Sequence, residues 1–270
     1  MKTGAIIILF QPHNEVLNYI KTIKNTFDVL VLYNNGISMD LNEFNEFNLI
    51  GDGTNEGIGT AINKSVKFLQ NQAVDIVFFF DQDSRINESF KLYIEECKNV
   101  LEVNNKLILG ASYSDQGDFD LLKSSSEWID EYAVITSGKC ISIEYFISSG
   151  GYKESWFIDL VDVEFCLRIR LIGGKILRYT PVVMSHSIGE KGVHNFFNIK
   201  VKTTNHNSLR LYYLFRNSCW LIKGYVISFP FLIIKYSLKR IKQVLKILFF
   251  EKQRKEKLKS ILKGIVDGVY

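Results

Sequence analysis

Asp81-Gln82-Asp83-Ser84 follows directly on the apolar run DIVFFF (Asp75–Phe80), so two carboxylates stand one residue apart where a buried strand should end. Extended backbone alternates its side chains, which points Asp81 and Asp83 to the same side. Carboxylate oxygens suit Mg2+ or Mn2+, and such ions are commonly shared with substrate phosphates. An ion held there would neutralise a departing diphosphate. The same four residues also have the composition of an ordinary turn. Position separates the two readings, because this one lies behind a buried strand and beside other polar strand ends.

Two further segments carry chemistry. Gly51–Asn63 (GDGTNEGIGTAIN) has glycines that permit close backbone approach, and Asn55-x-Gly57 opening a helix could aim backbone N–H groups at an anion. It lacks the Lys-Ser/Thr of a phosphate-binding P-loop, and it serves equally as a loop and helix cap. Phe157–Arg168 (FIDLVDVEFCLR) gathers Asp159, Asp162 and Glu164. A helix beginning near Leu160 would set Asp162 in its favoured first turn and pair Glu164 with Arg168 four residues on. A carboxylate in such a cluster is also what a hydroxyl needs to lose its proton as it attacks. His186 ends a strand-like stretch and is a candidate metal or diphosphate contact, ahead of His13, His194 and His206. In the helical run Arg210–Asn217 (RLYYLFRN), Tyr213 and Arg216 share a face, and Arg suits phosphate geometry.

The elements around these residues alternate. Strands are expected at Ala5–Phe10, Asp28–Tyr33, Asn48–Ile50 and Asp75–Phe80, with helices over Glu15–Asn25 and Gly57–Asn71. That order is the signature of an α/β parallel sheet, whose ligands bind beyond the carboxyl ends of the strands. Gln11, Asn34, Asn35, Asn55 and Asp81–Ser84 all fall at that edge. Beyond residue 100 the pattern mixes. Strands are expected at Lys106–Ser112, Val134–Ser137 and Ile176–Tyr179, helices at Glu144–Ser149 and Val161–Leu171, and a loose segment runs from Tyr113 to Asp130. From Leu209 onward the chain reads as long amphipathic helices.

Strand-YNNG, then N-x-G-I-x-x-A-x-N, then strand-DQDS resembles, in order, the donor half of family-2 glycosyltransferases with the GT-A fold. The DQDS form most resembles the bacterial rhamnosyltransferase branch, and the similarity covers nearly the whole chain. It implies a Rossmann-type, mostly parallel sheet flanked by helices. The expected organisation is a GT-A domain over residues 1–204, with a nucleotide-sugar half to residue 100 and an acceptor half beyond, then a basic helical region over 205–270. The resemblance implies an inverting transferase with a nucleotide diphosphate sugar as donor, dTDP-L-rhamnose ahead of UDP-glucose or UDP-galactose. The implied acceptor is a polyprenyl-diphosphate-linked oligosaccharide of O-antigen or capsule synthesis.

Carried over by position, Gln11, Asn34, Asn55, Gly57, Asn63, Asp81 and Gln82 would bind the donor. Asp83, Asp81 and His186 would hold Mg2+ or Mn2+. Asp162 in Val161-Asp162-Val163-Glu164 matches the base of the family's Glu-Asp-x-Asp pattern, with Asp159 or Glu164 as the fallback. Ser137, Gly138, Asp159, Glu164, Tyr213 and Arg216 would meet the acceptor. The chain departs from the family in having Asn34 for an aspartate, Phe10-Gln11-Pro12 for a Thr-Tyr-Asn-like triplet, Val161 for an acid and Glu164 for an aspartate.

Composition bounds these readings. The chain has 270 residues, 47% apolar, enough for one large domain or two lobes, and its 3 prolines leave little room for disordered linkers. Its four cysteines form no CxxC pair, which argues against zinc and for reduced thiols in the cytosol. No signal peptide and no run of about 20 apolar residues is visible. The net charge of +4 is uneven, because lysines and arginines crowd residues 235–263. Such a tail fits an anionic surface. Acids at the expected ligand edge and basic residues confined to the tail argue against nucleic acid, and leave a membrane-surface helix or an ordinary terminal helix packing on the body or a dimer partner. The resemblance, in a family whose acceptors are usually lipid-linked, implies peripheral attachment to the cytoplasmic face of a membrane.

Overall fold

The computed structural model describes residues 1–37, 40–114, 126–186, 192–196 and 199–270. The chain divides into two compact units. One comprises Met1–Phe157 and Val161–Ser187, the other Ile158–Leu160 and Ile188–Tyr270. The second unit therefore begins before residue 205 and also takes three residues of the acidic segment.

The first unit opens with β1 (Thr3–Leu9), α1 (Asn14–Ile23), β2 (Val29–Asn34), β3 (Asn48–Ile50), α2 (Ile58–Asn71) and β4 (Ile76–Asp81). These are the elements expected from hydrophobic periodicity, within a residue or two at most ends. β1 pairs in parallel with both β2 and β4, and β2 with β3. The strands are apolar on both faces because helices cover both. α1 buries Val16, Leu17, Ile20 and Ile23, and α2 buries Ala61, Ile62, Val66 and Leu69, each on one helical face.

The rest of the unit is β5 (Ser84–Ile86), α3 (Phe90–Val103), β6 (Leu107–Ser114), β7 (Trp128–Asp130), β8 (Lys139–Ser142), α4 (Ile143–Ser148), α5 (Val161–Leu171) and β9 (Lys175–His186). Among the described residues the sheet runs β3-β2-β1-β4-β8-β6-β9-β5, with β7 beside β9. β8 is antiparallel to β4 and to β6, β5 is antiparallel to β9, and β6 and β9 are parallel. The sheet is therefore parallel through its first four strands and mixed beyond them.

Three details differ from expectation. Val134–Ser137 is not a strand; Val134 is apolar because its side chain covers Gly110, and the ladder begins at Lys139. β9 runs seven residues past Tyr179, through Pro181, because register shifts opposite Gly110–Tyr113 absorb the missing donor. Part of the loose segment is β7, whose Trp128 ring lies 5.1 Å from Tyr179, while residues 115–125 lie outside the described residues.

The core is aromatic. Phe78 and Phe80 point to one face of β4, where Phe27, Phe90 and Tyr93 meet them at 5.4–6.1 Å in tilted or edge-on pairs. Phe79 points to the other face, against Phe146 and Tyr152. The second unit contains a hairpin, β10 (Gly192–Phe196) and β11 (Ile199–Thr203), and three helices, α6 (Ser208–Tyr225), α7 (Pro230–Phe250) and α8 (Arg254–Val269). Leu211, Phe215, Ile247 and Ile261 form its buried centre.

Candidate active site

Asp81 ends β4 and Ser84 begins β5, so Gln82-Asp83 is the tight link between a central strand and a short one. β5 lies antiparallel to the end of β9, with Ser84 opposite His186. The long β9 thus delivers His186 to the acidic pair from about 100 residues away in sequence. Its Nδ1 lies 3.3 Å from Asp83 Oδ1 and its Nε2 3.9 Å from Asp81 Oδ2. Ser84 Oγ lies 3.1 Å from the same Nδ1 and makes a short hydrogen bond with the buried Ser137 Oγ. Ser137 Oγ also accepts from the Asp81 N–H at 3.4 Å. The Tyr113 ring stands edge-on to the imidazole at 5.8 Å.

One donor atom from each of Asp81, Asp83 and His186 lies within 4.8 Å of the others. Two carboxylates and an imidazole fit a divalent cation such as Mg2+ or Mn2+ with positions left for phosphate oxygens. Asp83 is exposed, so the open side of the triad faces solvent.

The residues expected at the donor edge are gathered there, but many are engaged in building it. Asn34 is buried, and its Oδ1 accepts from the N–H groups of Gly36 and Ile37, closing the turn after β2. Asn55 Oδ1 accepts from Asn35 Nδ2 and from the Gly57 N–H. Gln82 bonds both the N–H and the carbonyl of Phe10, tying the β4 turn to the end of β1. Gln11 is exposed with φ +45°, and its N–H donates to the Gly36 carbonyl. Gly57 has φ +83°, and a Cβ there would stand 2.7 Å from Phe157; its freedom serves close packing against that residue. Sequence reasoning passed over Glu56, which takes the Tyr33 hydroxyl and sits 2.6 Å from Lys64. The hydrogen bonds from Lys64 and Tyr33 hold its carboxyl below the usual range.

Asp162 lies in the first turn of α5, half-buried, with its Oδ1 accepting from the Val163 N–H at 2.8 Å. Glu164 has another setting. It is fully buried and bridges Arg168 at 3.0 Å and Lys153 at 2.9 Å. Arg168 in turn donates to the carbonyls of Ser149 and Gly151. Asn63 accepts from the Tyr152 N–H and donates to its carbonyl, each at 2.9 Å. Glu164 and Asn63 therefore fix the Gly150-Gly151-Tyr152 turn from two sides. Gly138, at φ +76°, is walled in by Met184 and Ala111, leaving no room for a side chain.

In the second unit the Arg210–Asn217 motif has a clear partner. Arg210 grips Asp159 through Nε and Nη2 at 3.0–3.3 Å. Asn217, fully buried, donates to the carbonyls of Ile158 and Asp159 at 2.8 and 2.9 Å. Arg216 stacks between Tyr213 and Trp220 and donates to Asn217 Oδ1, orienting that amide. The clamped residues Asp159 and Leu160 both have φ +61°, a conformation that side-chain-bearing residues adopt at a cost of about 1–3 kcal/mol each. Of the remaining histidines, His13 is exposed, His206 is pushed down to about 4 by burial and neighbouring Arg210, and the side chain of His194 lies outside the described residues.

No family model matches the chain. It is 28% identical over 241 residues to the dTDP-rhamnosyl transferase RfbF of Shigella flexneri, covering 81% of this chain and 79% of that protein. Its fold is similar to that of S. aureus TarS residues 1–349, with TM-score 0.60, 14% identity, and coverage of 100% of this chain and 81% of that one. The same TarS segment in complex with UDP-GlcNAc gives TM-score 0.59 at 13% identity, over 98% of this chain and 82% of that one. GalNAc-T7 solved with UDP, GalNAc and Mn2+ gives TM-score 0.59 at 11% identity over 86% of this chain, which spans about half of that longer chain (49%). The chain thus carries sequence likeness to a sugar transferase along four-fifths of its length, on the GT-A fold that it shares with these structures.

Proposed function

We propose that the protein is an inverting transferase that moves L-rhamnose from dTDP-L-rhamnose to a hydroxyl of a polyprenyl-diphosphate-linked oligosaccharide, in O-antigen or capsule synthesis. The observation that carries this reading is the likeness to RfbF, which extends along most of both chains and so includes the acidic triad and the α5 segment. Asp83, Asp81 and His186 would hold a divalent cation, which when bound neutralises charge on the leaving diphosphate. Backbone at the ends of β1, β2 and β4 frames the nucleotide, with Gln82 holding two of those ends in register. Asp162 takes the proton of the attacking hydroxyl, and no covalent enzyme intermediate is needed.

A donor panel tests the sugar and the nucleotide together. With Mn2+ present, dTDP-L-rhamnose at about 100 times its Kd should stabilise the protein by about 2.7 kcal/mol, a rise of a few degrees in Tm. UDP-glucose, UDP-galactose and UDP-GlcNAc should shift it less. The UDP ligands of two structural neighbours make a UDP-sugar the second reading, and a larger shift with any of the three UDP-sugars would install it.

The same reading places the enzyme peripherally on the cytoplasmic face of the membrane. No helix among the described residues is long and apolar enough to cross one. On α7, however, Phe231, Ile234, Leu238, Ile241, Leu245 and Phe249 are all exposed and fall on one helical stripe. Ile233 and Ile247, which pack inward, lie on another face. Lys235, Lys239 and Lys242 run along one edge of the stripe and are exposed. An apolar stripe edged with lysines lies in a bilayer interface, and each lysine near anionic lipid contributes roughly 1 kcal/mol. Replacing Phe231, Leu238 and Leu245 together by Asp should reduce sedimentation with phosphatidylglycerol vesicles about tenfold or more. Unchanged sedimentation, or a nucleic-acid gel shift that the triple variant loses instead, would remove the membrane from the proposal.

A further inference from the structure

Asp83 is the exposed member of the acidic triad and stands in the short link between β4 and β5, yet the backbone around it is gripped from both sides. Arg85 Nη1 donates to the Gln82 carbonyl and to the Ser84 carbonyl, each at 2.9 Å. These carbonyls belong to the residues immediately before and after Asp83. A single guanidinium nitrogen therefore closes the backbone around this carboxylate.

The guanidinium is itself held. It is half-buried, and its centre lies over the Tyr19 ring on α1, 4.3 Å from the centroid. The hydroxyl of the same Tyr19 accepts the Ile86 N–H at 2.7 Å. Gln82 adds a tie to the end of β1, with its side chain on both backbone groups of Phe10. Ser84 adds one to β9, with its Oγ 3.1 Å from His186 Nδ1. Three separate elements thus fix the residues that flank Asp83, and Arg85 is the group that bonds both of its neighbours.

An arginine in this place has an electrostatic cost. It adds positive charge within two residues of a carboxylate read as the ligand of a divalent cation, and like charges repel. It favours the cation only where the order it gives to the link outweighs that repulsion.

We propose that Arg85 is a positioning residue for the divalent cation, whose guanidinium, stacked on Tyr19 and bonded to the carbonyls of Gln82 and Ser84, holds Asp83 in place to ligate. This rests on the reading of Asp81, Asp83 and His186 as the ligands. An exposed carboxylate on a loose link would give up backbone freedom when the ion arrives. Here that freedom is already lost on folding. Groups that orient a metal ligand in this way govern metal affinity by about 10- to 100-fold.

The test is the affinity for Mn2+ alone, measured by calorimetry without donor. Arg85→Met keeps a stem over Tyr19 and removes the charge and both hydrogen bonds. It should weaken Mn2+ about tenfold or more, while Tm in a chelator stays within a few degrees of the native value. Arg85→Lys, whose ammonium can still donate to a carbonyl, should recover part of the loss. The sign decides between roles. Were Arg85 only a nearby charge, its removal would tighten Mn2+ binding. Were it only a brace for the fold, Tm would fall and Mn2+ affinity would stay. Either result overturns the proposal. In an Asp83→Ala background, Arg85→Met should cost no further affinity, and an equal further loss also overturns it. Should Arg85→Met fold poorly, Arg85→Gln is read in the same way. If Asp83→Ala alone binds Mn2+ like the native protein, it is the ligand assignment that has failed, and the role of Arg85 falls with it.

Discussion

Asp162→Asn should reduce turnover about 1,000-fold while leaving donor binding within a factor of two or three. A positioned general base contributes about 100- to 10,000-fold, and an amide cannot take the acceptor's proton. The substitution is otherwise mild. Asn keeps an oxygen for the Val163 N–H, so the first turn of α5 retains its cap contact. The lost charge at the helix N-terminus costs about 0.3–1 kcal/mol. A loss confined to kcat is therefore chemical and not a failure to fold. Other carboxylates of the cluster are poor substitutes. Glu164 is buried between two cations, and Asp159 is gripped bidentately by Arg210. Parallel loss of donor affinity and kcat in Asp162→Asn would move Asp162 from the acceptor side to the donor side and leave the base unassigned.

The donor-half scaffold was legible because parallel strands buried on both faces leave uninterrupted apolar runs, and α1 and α2 each carry one apolar stripe. The acidic pair was legible for the same reason, since DIVFFF ends where Asp81 begins. Less legible were features set by register and by side chains meeting across long sequence distances. Pro181 reads as a strand stop, yet β9 runs through it, and only that extension sets His186 opposite Ser84. Val134 reads as strand because it is apolar, while its role is to cover a glycine. Asn63, Glu164 and Arg216 were singled out by pattern for ligand contact. The structure engages all three with other parts of the protein, which no spacing rule reveals. Lys139 carried no sequence signal beyond being a lysine beside an apolar strand; its burial against Tyr152 and Phe165 shows only in the fold.

Asp83→Ala should abolish metal-dependent release of the nucleotide, by about 1,000-fold or more, without unfolding the protein. Asp83 is exposed in a two-residue link, so its removal opens no cavity and should change stability by no more than about 0.5 kcal/mol. What it removes is one of the three donors that converge within 4.8 Å, and the one that leans furthest into solvent, where a diphosphate would approach. Asp81 and His186 left alone would still lie near each other, but two donors retain a weakly held ion with poor geometry. The effect should therefore appear first in binding. Titration of Mn2+ by calorimetry should show at least a tenfold weaker site in the variant, and Mn2+ should no longer increase the donor's thermal stabilisation. His186 makes this discriminating, since its ring also touches Ser84 and Tyr113 and its loss would disturb packing as well as ligation, whereas Asp83 separates the two. Equal turnover of native enzyme in Mn2+ and in a chelator, with Asp83→Ala unimpaired, would mean that the leaving diphosphate is neutralised by protein cations and that the acidic pair serves the turn alone.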